Sequence, residues 1–231
     1  KEYHKNFFGT KLKTIITGAA PLSKTLCYEC NDLGIKLCAG YGLTETACMV
    51  SGNPDMLNKP ESVGLTFPNQ EIKLVNNELW LKGPHLLTRY LDEEENNASF
   101  EDGWFKTGDI VRFDEDNFLY IVGRKKEMLL LENGENVYPS QVEMIFNSVP
   151  WIQESMLYQS VDENSHKILV LEVLPTNTKL SSEEKENMQK ELNRINNTLP
   201  KFERAHKIII RDKDFSRTSS MKIIRKHSEE S

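Results

Sequence analysis

Around Asn76-Asn77 the chain alternates apolar and polar residues on both sides, with Ile72 and Leu74 before the pair and Leu79 and Leu81 after it. A period of two places such side chains on one face of paired strands. Two asparagines between the runs, which tolerate left-handed backbone, close a hairpin. The middle of the chain is therefore committed to antiparallel pairing, and the rest must be joined to it. "DIVRFDEDNFLYIVG" repeats the pattern with a turn at "DEDN". Residues 63–123 are expected to form a small antiparallel β subdomain.

Upstream the pattern changes. "KTIITG" reads as an apolar strand ending at Gly18. "PLSKTLCYECNDLG" reads as a helix with Pro21 at its start and Gly34 as its stop, and "IKLCAGYG" as the next strand and turn. This strand–helix–strand order marks residues 1–62 as a fragment of an α/β sheet. A second change falls near Arg124 to Lys126. Beyond it, Ser140 and Glu143 have capping-box spacing ahead of Val142, Ile145, Phe146 and Val149. Ser181 and Glu184 repeat that spacing ahead of Met188, Leu192, Ile195 and Leu199. "KILVLEVLP" and the run from Lys207 to Ile210 read as strands. Residues 124–231 are expected to form a small α+β domain, so the fold class is a mix of α/β and α+β.

A chain of 231 residues with 38% hydrophobic content can build one large domain or two small ones. Its net charge of −6, with both signs interspersed, argues against nucleic acid as a main partner. No apolar run approaches the ~20 residues of a membrane helix, and no secretory signal is recognised. A cytoplasmic location is expected, with peripheral membrane contact left open. Cys27 and Cys30 form a CxxC, but no second pair follows at zinc-site spacing, so reduced thiols are expected instead of a metal site. The chain starts "KEYHKNFF", without an initiator Met, which suggests a piece of something longer.

Four polar constellations stand out. At "YGLTET", Gly42 lets backbone approach a ligand, Thr44 offers a hydroxyl to phosphate oxygens, Glu45 suits a hard cation such as Mg²⁺, and Tyr41 can lie against a ring. A tight loop capped by its own hydroxyls explains the same residues equally well. Ala19 and Ala20, with Gly18 before them and Pro21 after, form a small-residue wall on which a planar heterocycle could slide, or against which a helix could pack. Asp109 in "GWFKTGD" could accept from a ribose diol, or cap a turn. Arg124 could reach the same sugar, or lie on the surface. Lys222 in "TSSMKIIR" is a long cationic arm able to reach charge that develops in a transition state, or part of a solvated basic tail.

In order along the chain, "GAAPLS", "YGLTET", "GWFKTGD", "GRKKEMLLLENGENVYPSQVE" and "TSSMKIIR" resemble the motifs of the adenylate-forming superfamily: acyl-CoA synthetases, adenylation domains of peptide synthetases, and luciferases. The resemblance runs from Lys11 to Arg225. It implies ATP, Mg²⁺ and CoA as cofactors and a carboxylic acid as substrate. It places adenine beside Ala19, Ala20 and Pro21 with Tyr41 stacked on it, Thr44 at the α-phosphate or acyl carboxylate, Glu45 on the metal, and Asp109 with Arg124 on the ribose. It makes Lys126 the hinge of a rotating C-terminal domain, Gly134 and Asn136 part of the pantetheine tunnel, and Lys222 the bridge between attacking carboxylate and α-phosphate. Met221 stands where the family usually has glycine, and the whole motif is most similar to long-chain fatty acid–CoA ligases. The family's Ser/Thr/Gly-rich phosphate loop is not among these residues, so the chain is expected to be a C-terminal portion, inactive by itself. A ligase that loads an acyl carrier protein or activates an amino or aryl acid is the alternative, and a non-catalytic interaction module the third reading.

Overall fold

The computed structural model describes residues 6–54, 57–218 and 223–225. The chain divides into two compact units, Lys1–Lys126 and Glu127–Ser231.

Among the described residues the first unit holds two sheets. In one, β1 (Thr14–Thr17) pairs parallel with β2 (Lys36–Tyr41), and β3 (Ser51–Gly52) and β4 (Leu65–Thr66) extend it antiparallel. The crossover between β1 and β2 is helix α1 (Lys24–Asp32). Pro21 does not start this helix. Ser23 is the N-cap, its hydroxyl accepting from the Leu26 N–H, because a capping oxygen satisfies an orphan donor that proline only tolerates. Gly34 follows the helix at φ +80°, the left-handed position a helix stop requires.

The second sheet is built on the hairpin of β5 (Glu71–Val75) and β6 (Glu78–Lys82). Asn76 and Asn77 sit at φ 51° and 64°, the paired left-handed geometry that matches strand twist. Replacing Asn76 with valine is expected to cost about 1–2 kcal/mol, since a β-branched residue is strained there. A lower urea midpoint at unchanged m-value is the measurement. Helix α2 (Glu93–Ser99) leads into β7 (Phe100–Glu101). The long strand β8 (Trp104–Phe113) is flanked by β6 and β7 and also pairs with β9 (Leu119–Arg124). The turn into β9 closes on Asp114, whose carboxylate accepts from the N–H groups of Asp116 and Phe118. Leu79, Leu81, Val111, Leu119 and Val50 form the core, with Tyr41 and Ile121 packed against it.

The second unit opens with a short hairpin, β10 (Leu129–Leu130) and β11 (Asn136–Val137). Helix α3 (Pro139–Asn147) follows, then β12 (Ile152–Val161) and β13 (Lys167–Pro175), helix α4 (Ser182–Thr198) and β14 (Lys207–Ile210). β13 pairs antiparallel with β12 and parallel with β14, with α4 as crossover. The Ser181–Glu184 capping box at α4 is present in both directions.

The Ser140–Glu143 box is not. Pro139 takes the first helical position of α3, behind an N-cap Tyr138 that makes no side-chain cap bond. Glu143 instead turns inward. Its carboxylate accepts the Leu157 N–H at 2.7 Å and both terminal nitrogens of Arg225 at 2.7 and 2.6 Å. A charge-assisted fork outweighs a solvated helix cap.

One face of the sheet buries Leu157, Leu169, Leu171 and Val173 against Phe146, Val142 and Leu192. Met156, Leu174 and Phe215 cluster separately, with Tyr158 and Ile223 alongside. Arg211 pairs with Glu172, and Arg217 with Glu154. Arg217 also bridges Ile223, and the Ile224 N–H donates to Ser216. Among the described residues no helix is long and apolar enough to cross a membrane.

Candidate functional site

The carboxyl ends of parallel strands are where α/β sheets offer ligands an opening. Thr17 of β1 lies opposite Ala39 of β2, so Gly18 to Pro21 leave the sheet beside Gly40 and Tyr41. A Cβ on Gly18 would stand 3.1 Å from the Gly40 oxygen, so the two chain segments approach closely. Ala19 adopts φ 68°, and Ala20 and Pro21 are exposed.

The turn after β2 is closed by its own chain. Thr46 donates its hydroxyl to the Leu43 carbonyl and accepts the Leu43 N–H, both at 2.9 Å. Gly42 meets an internal requirement of the turn. A Cβ there would sit 1.9 Å from the Cys48 oxygen. Thr44 begins a single 3₁₀ turn, Thr44–Thr46, and stays exposed.

Tyr41, Asp109 and Arg124, distant in sequence, meet. Asp109 is 1% exposed. One of its oxygens accepts the Tyr41 hydroxyl at 2.5 Å and the other the Arg124 Nε at 2.7 Å. β8 and β9 place Asp109 directly opposite Arg124 in register, and β2 delivers Tyr41. Burial, then the neighbouring Asp109 charge and its hydrogen bond, hold the Tyr41 hydroxyl protonated far above the ordinary tyrosine range. The carboxylate is thus fixed and covered by the tyrosine that the sequence assigned to stacking.

Glu45 has a partner that sequence reasoning missed. Tyr90 donates its hydroxyl to Glu45 Oε1 at 2.8 Å, and the Leu87 N–H donates to the Glu45 carbonyl at 2.7 Å. Nothing in "HLLTRYL" marks Tyr90, because the bond spans 45 positions. Burial first, then the bond to Glu45, pushes the Tyr90 hydroxyl up to about 12. A raised phenol favours the folded state below the unfolded value of about 10, and that contribution fades as pH climbs from there toward 12. An ultraviolet phenolate titration of Tyr90→Phe is expected to lose one phenol's share of the absorbance that develops near pH 12, with Tyr158, also pushed up to about 12, still contributing there.

Among the described residues no group of three or more His, Cys, Asp or Glu side chains is placed to hold a metal, and Cys27, Cys30, Cys38 and Cys48 are free thiols. Glu45 therefore belongs to no such group. Lys126 is exposed in the 3₁₀ turn Lys125–Glu127. In the second unit Gly134 takes φ +83° in the β10–β11 connection, and Asn136 is exposed on β11. Lys222 lies outside the described residues.

Comparison with known proteins gives a consistent result. Residues 1–91 match the profile of the AMP-binding enzymes, and residues 126–231 that of the AMP-binding enzyme C-terminal domain. The chain is 37% identical over 165 residues to a 2-succinylbenzoate–CoA ligase of Listeria monocytogenes, covering 70% of this chain and 34% of that protein. It is 33% identical over 187 residues to a long-chain-fatty-acid–CoA ligase of Yersinia pestis, covering 75% and 33% respectively. The chain thus spans about a third of these relatives' length. Its fold superimposes on an o-succinylbenzoate CoA synthetase from Bacillus subtilis solved with ATP and magnesium ion, with TM-score 0.76 and 28% identity over 91% of this chain and 45% of that one. An anthranilate CoA ligase in complex with anthranoyl-AMP shares the fold, with TM-score 0.81 at 21% identity, over 92% of this chain and 43% of that one.

Proposed function

We infer, because this chain belongs to the adenylate-forming family of AMP-binding enzymes, that it supplies the nucleotide contacts of a ligase that activates a carboxylic acid with ATP and passes the acyl group to CoA. One observation carries the reading: the Tyr41–Asp109–Arg124 cluster at the open end of β2, a buried carboxylate between a part-buried phenol and an exposed guanidinium. A carboxylate held by two donors is a rigid acceptor, and a ribose diol offers two matching hydroxyls. Because Tyr41 covers Asp109, the sugar would take over the bond that the phenol makes, and the freed ring would lie against adenine beside Ala19, Ala20 and Pro21. Arg124 would stay paired with the carboxylate.

The residues also fit Mg²⁺. That ion is commonly held by one or two carboxylates together with substrate phosphates and water, not by an all-protein cage. Glu45 is such a carboxylate, and Tyr90 fixes its orientation. When bound, the ion would offset charge on the phosphates. Thr44, exposed at the start of its turn, would donate to the α-phosphate or to the acyl carboxylate. Lys222 would bridge that carboxylate and the α-phosphate. Lys126 would serve as the hinge, and Gly134 with Asn136 would border the path of the thiol.

For the acid, the family resemblance in "TSSMKIIR" favoured a long-chain fatty acid. Relatives named for 2-succinylbenzoate favour an aryl acid, which becomes the first choice, with the fatty acid second on the strength of the Yersinia pestis relative. An acyl carrier protein remains an alternative acceptor, separable by competing it against free CoA.

Calorimetric titration with AMP tests the reading. Asp109→Ala is expected to weaken binding by about ten- to a hundredfold, the worth of hydrogen bonds to a charged group. Unchanged affinity would remove the ribose assignment. Tyr41→Phe is expected to bind AMP at least as tightly as the parent, because it keeps the ring and removes the competing hydroxyl. Weaker binding there would show that the phenol itself contacts the nucleotide.

A further inference from the structure

Glu78 is 4% exposed in a strand whose next three residues, Leu79, Trp80 and Leu81, are all buried. A strand that only had to pack would carry an apolar residue at this position, since a buried carboxylate needs good partners to be tolerated. Glu78 has two, from different parts of the chain. Its Oε1 accepts the Gly108 N–H at 3.2 Å, and its Oε2 accepts the Lys125 ammonium at 2.8 Å.

The first partner belongs to a bulge. Trp80 pairs with Lys106 and Glu78 with Ile110, so Leu79 alone faces Thr107, Gly108 and Asp109. Gly108 takes φ +71° there, and its N–H leaves the regular ladder. Thr107 secures the bulge from within, donating to the Leu79 carbonyl at 2.8 Å and accepting the Asp109 N–H at 3.1 Å. Glu78 secures it from β6. The residue that the bulge then aims is Asp109. The second partner, Lys125, directly precedes Lys126. Its side chain is 61% exposed while that of Glu78 is 6%, so the ammonium reaches in from the surface to the buried carboxylate and tethers one backbone position.

We propose that Glu78 is a positioning residue with two duties: through Gly108 it sets the direction of the Asp109 carboxylate, and through Lys125 it anchors the chain immediately before Lys126. The proposal rests on the reading of Asp109 as the ribose acceptor and of Lys126 as the hinge. A single carboxylate then fixes both the nucleotide contact and the fixed end of the moving joint.

Three variants separate the duties: Glu78→Gln, Glu78→Ala and Lys125→Met. In Glu78→Gln the amide oxygen still accepts from Gly108, but the ammonium loses its counter-charge. AMP affinity should stay within about twofold of the parent, while amide exchange at residues 125–127 accelerates about tenfold, as it should in Lys125→Met. In Glu78→Ala exchange should also accelerate at Gly108 and Asp109, and AMP affinity should fall about tenfold. Glutamine restoring affinity that alanine loses is a result that general destabilisation does not produce.

Parental affinity and parental exchange at residues 108–109 in a folded Glu78→Ala would overturn the first duty. Parental exchange at residues 125–127 in both Glu78→Gln and Lys125→Met would overturn the second. If Asp109→Ala binds AMP normally, the ribose reading fails. Exchange at residues 108–109 needs no ligand and still decides whether Glu78 holds the bulge. Should Glu78→Ala not fold, exchange at residues 125–127 in Glu78→Gln and Lys125→Met decides the second duty, and exchange at residues 108–109 in Glu78→Asp, whose shorter arm falls short of Gly108, decides the first.

Discussion

Lys222→Ala in the full-length protein is expected to slow acyl-adenylate formation by about 10²- to 10³-fold, the loss typical of removing one aimed charge or donor from a transition state. Thioester formation from preformed acyl-adenylate should change by only a few fold. The asymmetry follows from charge. In the first step of the proposed reaction a carboxylate approaches an anionic phosphate, and an ammonium between them would offset their repulsion. In the second, a thiol attacks the carbonyl of a mixed anhydride, and no second anion has to be brought in. Pyrophosphate exchange reads the first step, and synthetic acyl-adenylate with CoA reads the second. An equal fall in both would overturn the proposed role of Lys222. Two neighbouring residues are anchored in the second unit, Ile223 by its bridge to Arg217 and Arg225 by its fork on Glu143.

Local pattern was a good guide wherever one stretch of chain decides the structure. The Asn76-Asn77 hairpin, the β1–α1–β2 order and the Ser181–Glu184 cap depend on residues within a few positions of each other. Long-range pairing was not legible. β12, "IQESMLYQSV", escaped the sequence reading because Gln153, Glu154 and Ser155 interrupt its apolar rhythm. The strand has its two sides answered differently, by Glu143 at the Leu157 N–H and by Arg217 at Glu154. Ser140 and Glu143 had the spacing of a cap, yet the spacing could not reveal an arginine 82 positions away. The same limit applies to the site. Asp109 and Arg124 stood out through family motifs, and their pairing across β8 and β9 is local enough to follow from the hairpin. The Tyr41 bond to Asp109 spans 68 positions, and only the fold brings it about. Glu78 drew no notice for the same reason, since its partners Gly108 and Lys125 lie 30 and 47 positions away.

Arg225→Met is expected to destabilise the second unit by about 3 kcal/mol, toward the low end of what breaking a buried ion pair costs. The low end applies because the Arg225 side chain keeps 28% of its exposure while that of Glu143 keeps 9%. The loss has two parts. Glu143 is left as a carboxylate with the Leu157 N–H still donating to it but without its counter-charge, and the Leu157 carbonyl loses the Arg225 contact at 3.3 Å. Glu143→Gln should cost less than Arg225→Met, because an amide oxygen still accepts from Leu157 and the arginine left behind can turn to Glu127, whose carboxylate lies 3.4 Å from its Nε. Combining Glu143→Gln with Arg225→Met should cost less than the sum of the two, since neither variant then strands a buried charge. Denaturant unfolding of the whole chain, with amide exchange in α3 and β12 to assign the loss to this unit, provides the four corners of the cycle. Strict additivity would mean that the fork contributes no coupling, and that α3 is held to β12 by the packing of Phe146 and Val142 and by the bonds of Leu157 to Glu143 and Ser155 to Asn147.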